Sequence, residues 1–370
     1  MDFVVKNGLV QQAIDAANAN GGGRVVLEPG VYPCGTVYLK SNVELHLTAG
    51  AKLQGGGRPD DYDDVCVNEL GDVAPEGSRK ALLVAVNAEN IAVTGPGEIN
   101  GAGPDFYDRN VPEGAFFAKP PHPRPRMVQF YNCRGVRLEG ASFIDSPGWT
   151  MWLIRCENVW IHRVRVEGNQ QMINNDGIDI DECRNVTVSD SFFRTGDDCF
   201  ILRAIPKPDG REPVCENVTM TNCTLDSRCQ GIRVGCPSDG TIRNCAFGGL
   251  VICGRGNGIN INNPKRYLRP GCTGYLKLHD IVFDNLVIES GNVPIWINVE
   301  EGIRLRRIGD MTFSNIRVKA ARPIRLDGCE DTYIENIRFN EITAEIQDAA
   351  AIAASYCRRL TLNQVELNNE

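Results

Sequence analysis

A cysteine-centred phrase returns four times through the middle of the chain: Asn132-Cys133-Arg134-Gly135-Val136, Arg155-Cys156-Glu157-Asn158-Val159, Glu182-Cys183-Arg184-Asn185-Val186 and Val214-Cys215-Glu216-Asn217-Val218. Successive cysteines lie 23, 27 and 32 residues apart (156 − 133, 183 − 156, 215 − 183). A period of that size belongs to solenoids, in which each coil buries its apolar face only by stacking on the next. The runs that follow each phrase, such as Val136-Arg137-Leu138 and Val186-Thr187-Val188, alternate apolar and polar residues. That is strand periodicity, so the expected class is all-β.

A second phase of the repeat carries the more telling residues. Six segments align: Gly177-Ile178-Asp179-Ile180-Asp181, Cys199-Phe200-Ile201-Leu202-Arg203, Gly231-Ile232-Arg233-Val234-Gly235, Gly258-Ile259-Asn260-Ile261-Asn262, Pro294-Ile295-Trp296-Ile297-Asn298 and Pro323-Ile324-Arg325-Leu326-Asp327. Alternation sends the second and fourth residue of each inward. The others form an outward ladder of Asp, Arg, Asn and Trp.

Helical periodicity survives only over residues 9–17, and Asn18 to Gly23 terminate it. This reads as a capping helix, within about residues 1–22, that hides the open edge of a solenoid. Two stretches break the repeat, 56–80 and 102–126, the second ending in Pro120-Pro121-His122-Pro123-Arg124-Pro125-Arg126. Such insertions are either loops near a binding face or solvated connectors. A single domain over residues 1–370 is expected, since solenoids of this length fold as one.

A net charge of −8 argues against nucleic acid or an anionic membrane as the main partner. No apolar run reaches membrane-spanning length, and the N-terminus lacks a signal-peptide pattern, which suits an intracellular protein or a trimmed mature form of a secreted or periplasmic one. The fifteen cysteines are read mainly as small buried hydrophobes, with room for one or two disulfides. No pair of them has zinc-ligand spacing, and the four histidines, His46, His122, His162 and His279, are scattered. No metal or other cofactor is expected; oligomeric state is left open.

The chemistry concentrates in Asn174-Asn175-Asp176-Gly177-Ile178-Asp179 and Thr195-Gly196-Asp197-Asp198-Cys199. Asp176 and Asp197 are 21 residues apart (197 − 176), close to one coil, and neighbouring strands lie about 4.7–4.9 Å apart. Asp176 should therefore stand beside Asp197 or Asp198, with a bend at Gly196 aiming both acids outward. Clustered carboxylates suit glycosidic-bond hydrolysis, where a protonated acid and an ionised base flank the scissile oxygen. The competing reading makes them turn residues that bond backbone amides.

These two motifs, within a repetitive β chain, resemble the polygalacturonase family, glycoside hydrolase family 28, whose motifs are Asn-Thr-Asp, Gly-Asp-Asp, Gly-His-Gly and Arg-Ile-Lys. The opening resembles its bacterial members in Gly21-Gly22-Gly23-Arg24-Val25-Val26, Pro29-Gly30-Val31-Tyr32 and Gly95-Pro96-Gly97-Glu98-Ile99-Asn100-Gly101. The likeness spans about residues 8–340 and implies a right-handed parallel β-helix. It implies that Asp198 is the general acid, while Asp176 and Asp197 orient and deprotonate the attacking water in a single inverting displacement. Asn174 counts among the implied substrate contacts.

The chain departs from the family where Cys229-Gln230-Gly231 stands for Gly-His-Gly and Asn260-Ile261-Asn262 for Arg-Ile-Lys. Gln230 cannot titrate, and the cations that hold a galacturonate carboxylate are missing. Either Asn260 and Asn262 bind a neutral or differently decorated sugar, or Arg233, with Arg203 and Arg325, takes over a carboxylate. Trp296 could stack on a sugar ring.

Three functions remain open. The first is an inverting hydrolase of a pectin-type or related glycan. The second is a polysaccharide lyase or sugar epimerase, with Arg233 as base and aspartates holding Ca²⁺. The third is a non-catalytic carbohydrate-binding solenoid.

Overall fold

The coils turn at asparagines. Asn90, Asn158 and Asn185 sit in the left-handed region, with φ of 53°, 57° and 56°, a conformation Asn tolerates better than most residues. Their amides then bond up the stack, as from Asn185 Nδ2 to Asn158 Oδ1 at 3.1 Å. At the equivalent rung stands Gly135, with φ of 70°, where a Cβ would lie 3.0 Å from Asn90 Oδ1. The repeating asparagine of the cysteine phrase is thus a bend that also pairs with its neighbours.

The computed structural model describes residues 1–5, 8–65, 78–268, 274–347 and 352–369. The fold class is all-β, a right-handed parallel β-helix. The chain divides into two units, residues 1–179 with 183–197, and residues 180–182 with 198–370.

In the first unit the strand pairs are parallel and in register. Val136 lies opposite Val159, and Val159 opposite Val186. On a second sheet Leu83 lies opposite Val128 and Val128 opposite Met151. All of these side chains are buried, each burial stabilising by about 1.5–3 kcal/mol. The cysteine phrase places Cys133, Cys156 and Cys183 inside, where the Cys156 amide donates to the Cys183 thiol at 3.3 Å. Thirteen cysteines are free among the described residues.

The capping piece differs from expectation at its start. The helix runs Val10–Ala19 and buries Val10, Ile14 and Ala17, but residues 1–22 are not all helix. Asp2–Val4 is a strand, parallel to Gly23–Leu27, with Asp2 opposite Arg24 and their side chains paired at 2.6 Å. The bare sheet edge offers hydrogen bonds that a strand can satisfy and a helix cannot.

The insertion at 102–126 packs onto its own unit. Tyr107, Phe117 and Met172 form a buried cluster, and the Phe117 amide donates to Gln171 O at 2.8 Å. Of the break at 56–80, Pro59–Asp61 forms a short 3-10 turn, and residues 66–77 lie outside the described residues.

The second unit stacks long strands, Lys277–Ser290, Arg307–Ala320 and Ile334–Ile346. Phe247, Phe283, Phe313 and Phe339 stack one per coil, with ring centroids 4.8, 4.9 and 5.0 Å apart. The ladder register holds: Ile201, Arg233, Asn260, Trp296 and Arg325 are successive partners. Phe200, Ile232, Ile259, Ile295 and Ile324 point inward and are wholly buried.

Candidate active site

The first unit sets Asn174 and Asn175, the residues before Asp176, against the turn that carries Asp197. Asn174, left-handed at φ 56°, donates its amide N–H to Asp197 Oδ2 at 3.0 Å. Asn175 Oδ1 accepts from the amides of Gly196 and Asp197 at 2.8 and 3.2 Å. One coil therefore grips the turn of the next. Asp176 is 3% exposed and Asp197 half-buried.

The chain bends at Gly196, as the Asp197-Asp198 pair requires, but for a reason other than conformational freedom. A Cβ there would lie 2.1 Å from Met172 O and 2.9 Å from Asn175 Oδ1. Glycine is needed because two backbones approach too closely for any side chain.

Tyr107 and Arg124, which the sequence reading did not single out, complete this corner. The Tyr107 hydroxyl donates to Ile173 O at 2.7 Å or Pro147 O at 2.9 Å and accepts from Arg124 Nη1. Burial pushes this phenol up to about 12; Arg124 pulls it back, while the charges of Asp197 and Asp176 push it further. Both acids thus act on one hydroxyl. Arg124 Nη2 also donates to Asn174 Oδ1 at 2.8 Å, so Arg124, Asn174 and Asp197 form a relay. The signal available in sequence was the density of cations in the proline-rich insertion.

In the second unit Asp198, 1% exposed, meets Arg233, whose Nη1 lies 3.2 Å from Asp198 Oδ2. Arg233 Nε donates to Asn262 Oδ1 at 3.3 Å. Burial, the largest single influence, disfavours the Arg233 charge, but Asp198, with Cys236 and Cys229 nearby, more than offsets it and holds the guanidinium above the ordinary arginine range. Arg233 is thus an ion-pair partner of Asp198 here.

Gln230, in the place of the family histidine, is a local acceptor. Its Oε1 takes hydrogen bonds from Asn257 and Asn260 Nδ2 at 2.8 and 3.2 Å. Asn260 and Asn262 are 3% and 7% exposed, so the outward face of these rungs is covered. The cover includes Tyr267, in the 3-10 turn Lys265–Tyr267, whose ring centre lies 5.6 Å from the Arg233 guanidinium. Strand alternation predicts which way a side chain points, not whether a loop folds over it.

Trp296 and Arg325 form a separate group further along the ladder. The indole N–H donates to Asp327 Oδ2 at 2.7 Å, and the Arg325 guanidinium pairs with Asp327 at 2.9 Å and sits 5.4 Å from the indole centre. Arg203 is buried, close enough to the Cys236 thiol for its charge to act there. His279, Asp280 and Asp310 each bring a potential ligand atom within 4.8 Å of the others, yet Asp310 is engaged by Arg307 and Asn336.

Glycosyl hydrolases family 28 matches residues 67–369. A probable polygalacturonase of Arabidopsis thaliana is 25% identical over 212 residues, 51% of this chain and 43% of that one. The chain thus spans less than half of that relative. An endo-polygalacturonase of Pectobacterium carotovorum subsp. carotovorum is 24% identical over 333 residues, 86% of this chain and 79% of that one. The crystal structure of an exopolygalacturonase from Thermotoga maritima superposes with a TM-score of 0.83 at 22% identity, covering 100% of this chain and 92% of that one. That likeness shows the fold.

Proposed function

Because the chain belongs to glycosyl hydrolase family 28, we propose that it is an inverting glycoside hydrolase acting on a pectin-type polysaccharide or oligosaccharide. Asp198 donates a proton to the leaving glycosidic oxygen. Asp176 and Asp197 orient the attacking water and take its proton, and the bond opens in one displacement at the anomeric carbon.

The observation that carries this reading is the pairing of the two coils in the first unit. Asn174 and Asn175 spend their hydrogen bonds on the 196–197 turn, which supports a role for Asp176 and Asp197 in one site. Accepting a backbone amide is also what a turn-forming aspartate does; what favours the catalytic reading is the family membership together with the burial of Asp176.

The Arg233 ion pair bears on the substrate. A guanidinium beside Asp198 favours its ionised form, the opposite of what a proton donor needs. A carboxylate on the incoming sugar would compete for the same guanidinium and lessen its hold on Asp198. This favours an acidic sugar over a neutral one and gives Arg233 the role that the missing Arg and Lys leave vacant.

The test is product analysis on polygalacturonate and its oligomers, with anomeric configuration read by NMR. Expected are new reducing ends of inverted configuration, lost by at least a thousandfold in Asp198→Asn with the fold retained. Undiminished turnover in that variant removes Asp198 from its role. Tight binding without any product favours the non-catalytic reading, for which the ion-paired state of Asp198 is the specific support.

A further inference from the structure

The outward face of one sheet in the first unit carries an open groove of about 580 Å³ that the proposed hydrolysis does not use. It crosses the strands Gly23–Leu27, Val43–Leu47, Glu89–Thr94, Arg134–Glu139 and Glu157–His162. Register sets its long axis, because Arg24, Glu44, Ala92, Arg137 and Trp160 are successive cross-strand partners and all line it. Four strand spacings of about 4.8 Å make it about 19 Å long, the reach of an oligosaccharide and not of a single ring. The strand Ile178–Asp181, which follows Asp176, belongs to the other sheet.

Two features shape the groove. The first is an indole at its end: Trp160 is 50% exposed, whereas Trp149 and Trp152 are buried. An indole offers a flat apolar face and an N–H donor at its edge, a combination that stacks on the C–H side of a sugar ring while meeting a hydroxyl. The second is a break in the asparagine column that edges the coils. Asn90 Nδ2 donates to Asn42 Oδ1 and Asn185 Nδ2 to Asn158 Oδ1, both at 3.1 Å. Gly135 stands on the rung between Asn90 and Asn158 and has no amide to carry the column on. A Cβ there would lie 3.0 Å from Asn90 Oδ1, so this oxygen borders a notch where a third amide would have stood. Asn42, Asn90 and Gly135 all line the groove.

Charge decides the class of ligand. Arg24 is paired with Asp2 at 2.6 Å, and Arg137 with Glu139 at 2.7 Å and Glu44 at 3.5 Å. Guanidiniums already answered by carboxylates have little left for an incoming anion, and the Glu44 carboxylate repels one. What remains for a ligand is an aromatic face, an amide oxygen and a small-residue floor at Ala92 and Gly135. That set fits hydroxyl groups and C–H surfaces.

We propose that this groove binds a neutral oligosaccharide, with one ring stacked on Trp160 and a hydroxyl seated in the notch at Gly135. The chain then holds glycan at a second place, apart from its candidate active site. The inference stands on the groove alone and does not depend on hydrolysis.

The experiment follows the indole N–H resonances of the ¹⁵N-labelled full chain during titration with β-1,4-galactotetraose, cellotetraose, β-1,4-xylotetraose and, as the anionic comparison, trigalacturonate. At least one neutral probe should shift the Trp160 resonance, which Trp160→Phe identifies by its loss. Trp160→Ala should weaken that binding about tenfold, the worth of an aromatic stacking contact. Gly135→Asn rebuilds the column in a backbone conformation that Asn tolerates, so it should weaken binding about fivefold by filling the notch without lowering the urea midpoint. Asp198→Asn should bind as the wild type does, so a failed hydrolysis assay and a failed groove give different results. No Trp160 shift with any neutral probe, unchanged binding in Trp160→Ala or Gly135→Asn, or trigalacturonate bound as tightly at Trp160 overturns the proposal. A Trp160 resonance that moves on dilution of the free protein would seat a second copy in the groove and overturns it equally.

Discussion

Replacing Arg233 by Met removes a cation from the side of a carboxylate that has almost no contact with water. Asp198 is 1% exposed, and the guanidinium lies 3.2 Å away with its own side chain 10% exposed. Breaking a buried pair by removing one partner costs about 3–5 kcal/mol, mainly because the surviving charge is stranded. Removing both charges together, in Arg233→Met/Asp198→Asn, strands nothing and should cost much less than the sum of the single variants. Asp198→Asn alone leaves Arg233 with Asn262 Oδ1 as an acceptor at 3.3 Å, so its penalty should be the smaller of the two. The coupling energy expected is about 1–3 kcal/mol, as for residues in direct contact. Urea unfolding followed by the fluorescence of the four tryptophans measures all three variants and the wild type. Additivity within about 0.5 kcal/mol, the range found for independent sites, would refute the claim that the two charges stabilise one another.

Other outcomes follow from particular contacts. Phe283→Ala empties the centre of the four-ring stack and should destabilise by about 3–5 kcal/mol, read as a lower urea midpoint; a loss under 1 kcal/mol would mean that the stack carries little. Gly196→Ala drives a methyl toward Met172 O, so it should cost about 1–3 kcal/mol and lower hydrolysis by moving Asp197, whereas normal stability and rate would show that the turn has slack. Lys207 is fully buried between Asp181 and Glu182 at 2.9 and 3.0 Å, and Lys207→Met should cost about 3–5 kcal/mol by taking this cation from two buried carboxylates, checked by the same unfolding assay. Burial pushes the Tyr107 phenol up to about 12 in the folded protein, against about 10 unfolded. A raised folded value means its stabilisation is whole below pH 10 and is lost as pH rises to 12. The wild type should therefore lose about 1.4 kcal/mol per pH unit more than Tyr107→Phe across that window; parallel curves would count against a buried, protonated phenol.

Much of the architecture was legible because a stacked coil imposes a local rule that each repeat must obey. The inward columns, from Phe200 through Ile232 and Ile259 to Ile295, were readable from alternation alone. The opening of the chain was less legible: Asp2–Val4 is too short for periodicity to speak, and it became a strand because Gly23–Leu27 offered it an edge. Gly196 was recognised as necessary, but the cause, Met172 O pressing from another coil, lies 24 residues away in sequence (196 − 172).

What residue order determined by itself is the repeat, its register and the acids that the register carries, since strand alternation and coil length act between neighbours along the chain. What only the tertiary structure decided is how charge is distributed around those acids: Arg233 paired with Asp198, Tyr267 laid over Arg233, and Arg124 drawn from the proline-rich insertion to Asn174 and Tyr107. Those partners come from loops, whose paths follow no periodicity. The energy of a buried charge depends on every group that surrounds it, whatever its distance in sequence.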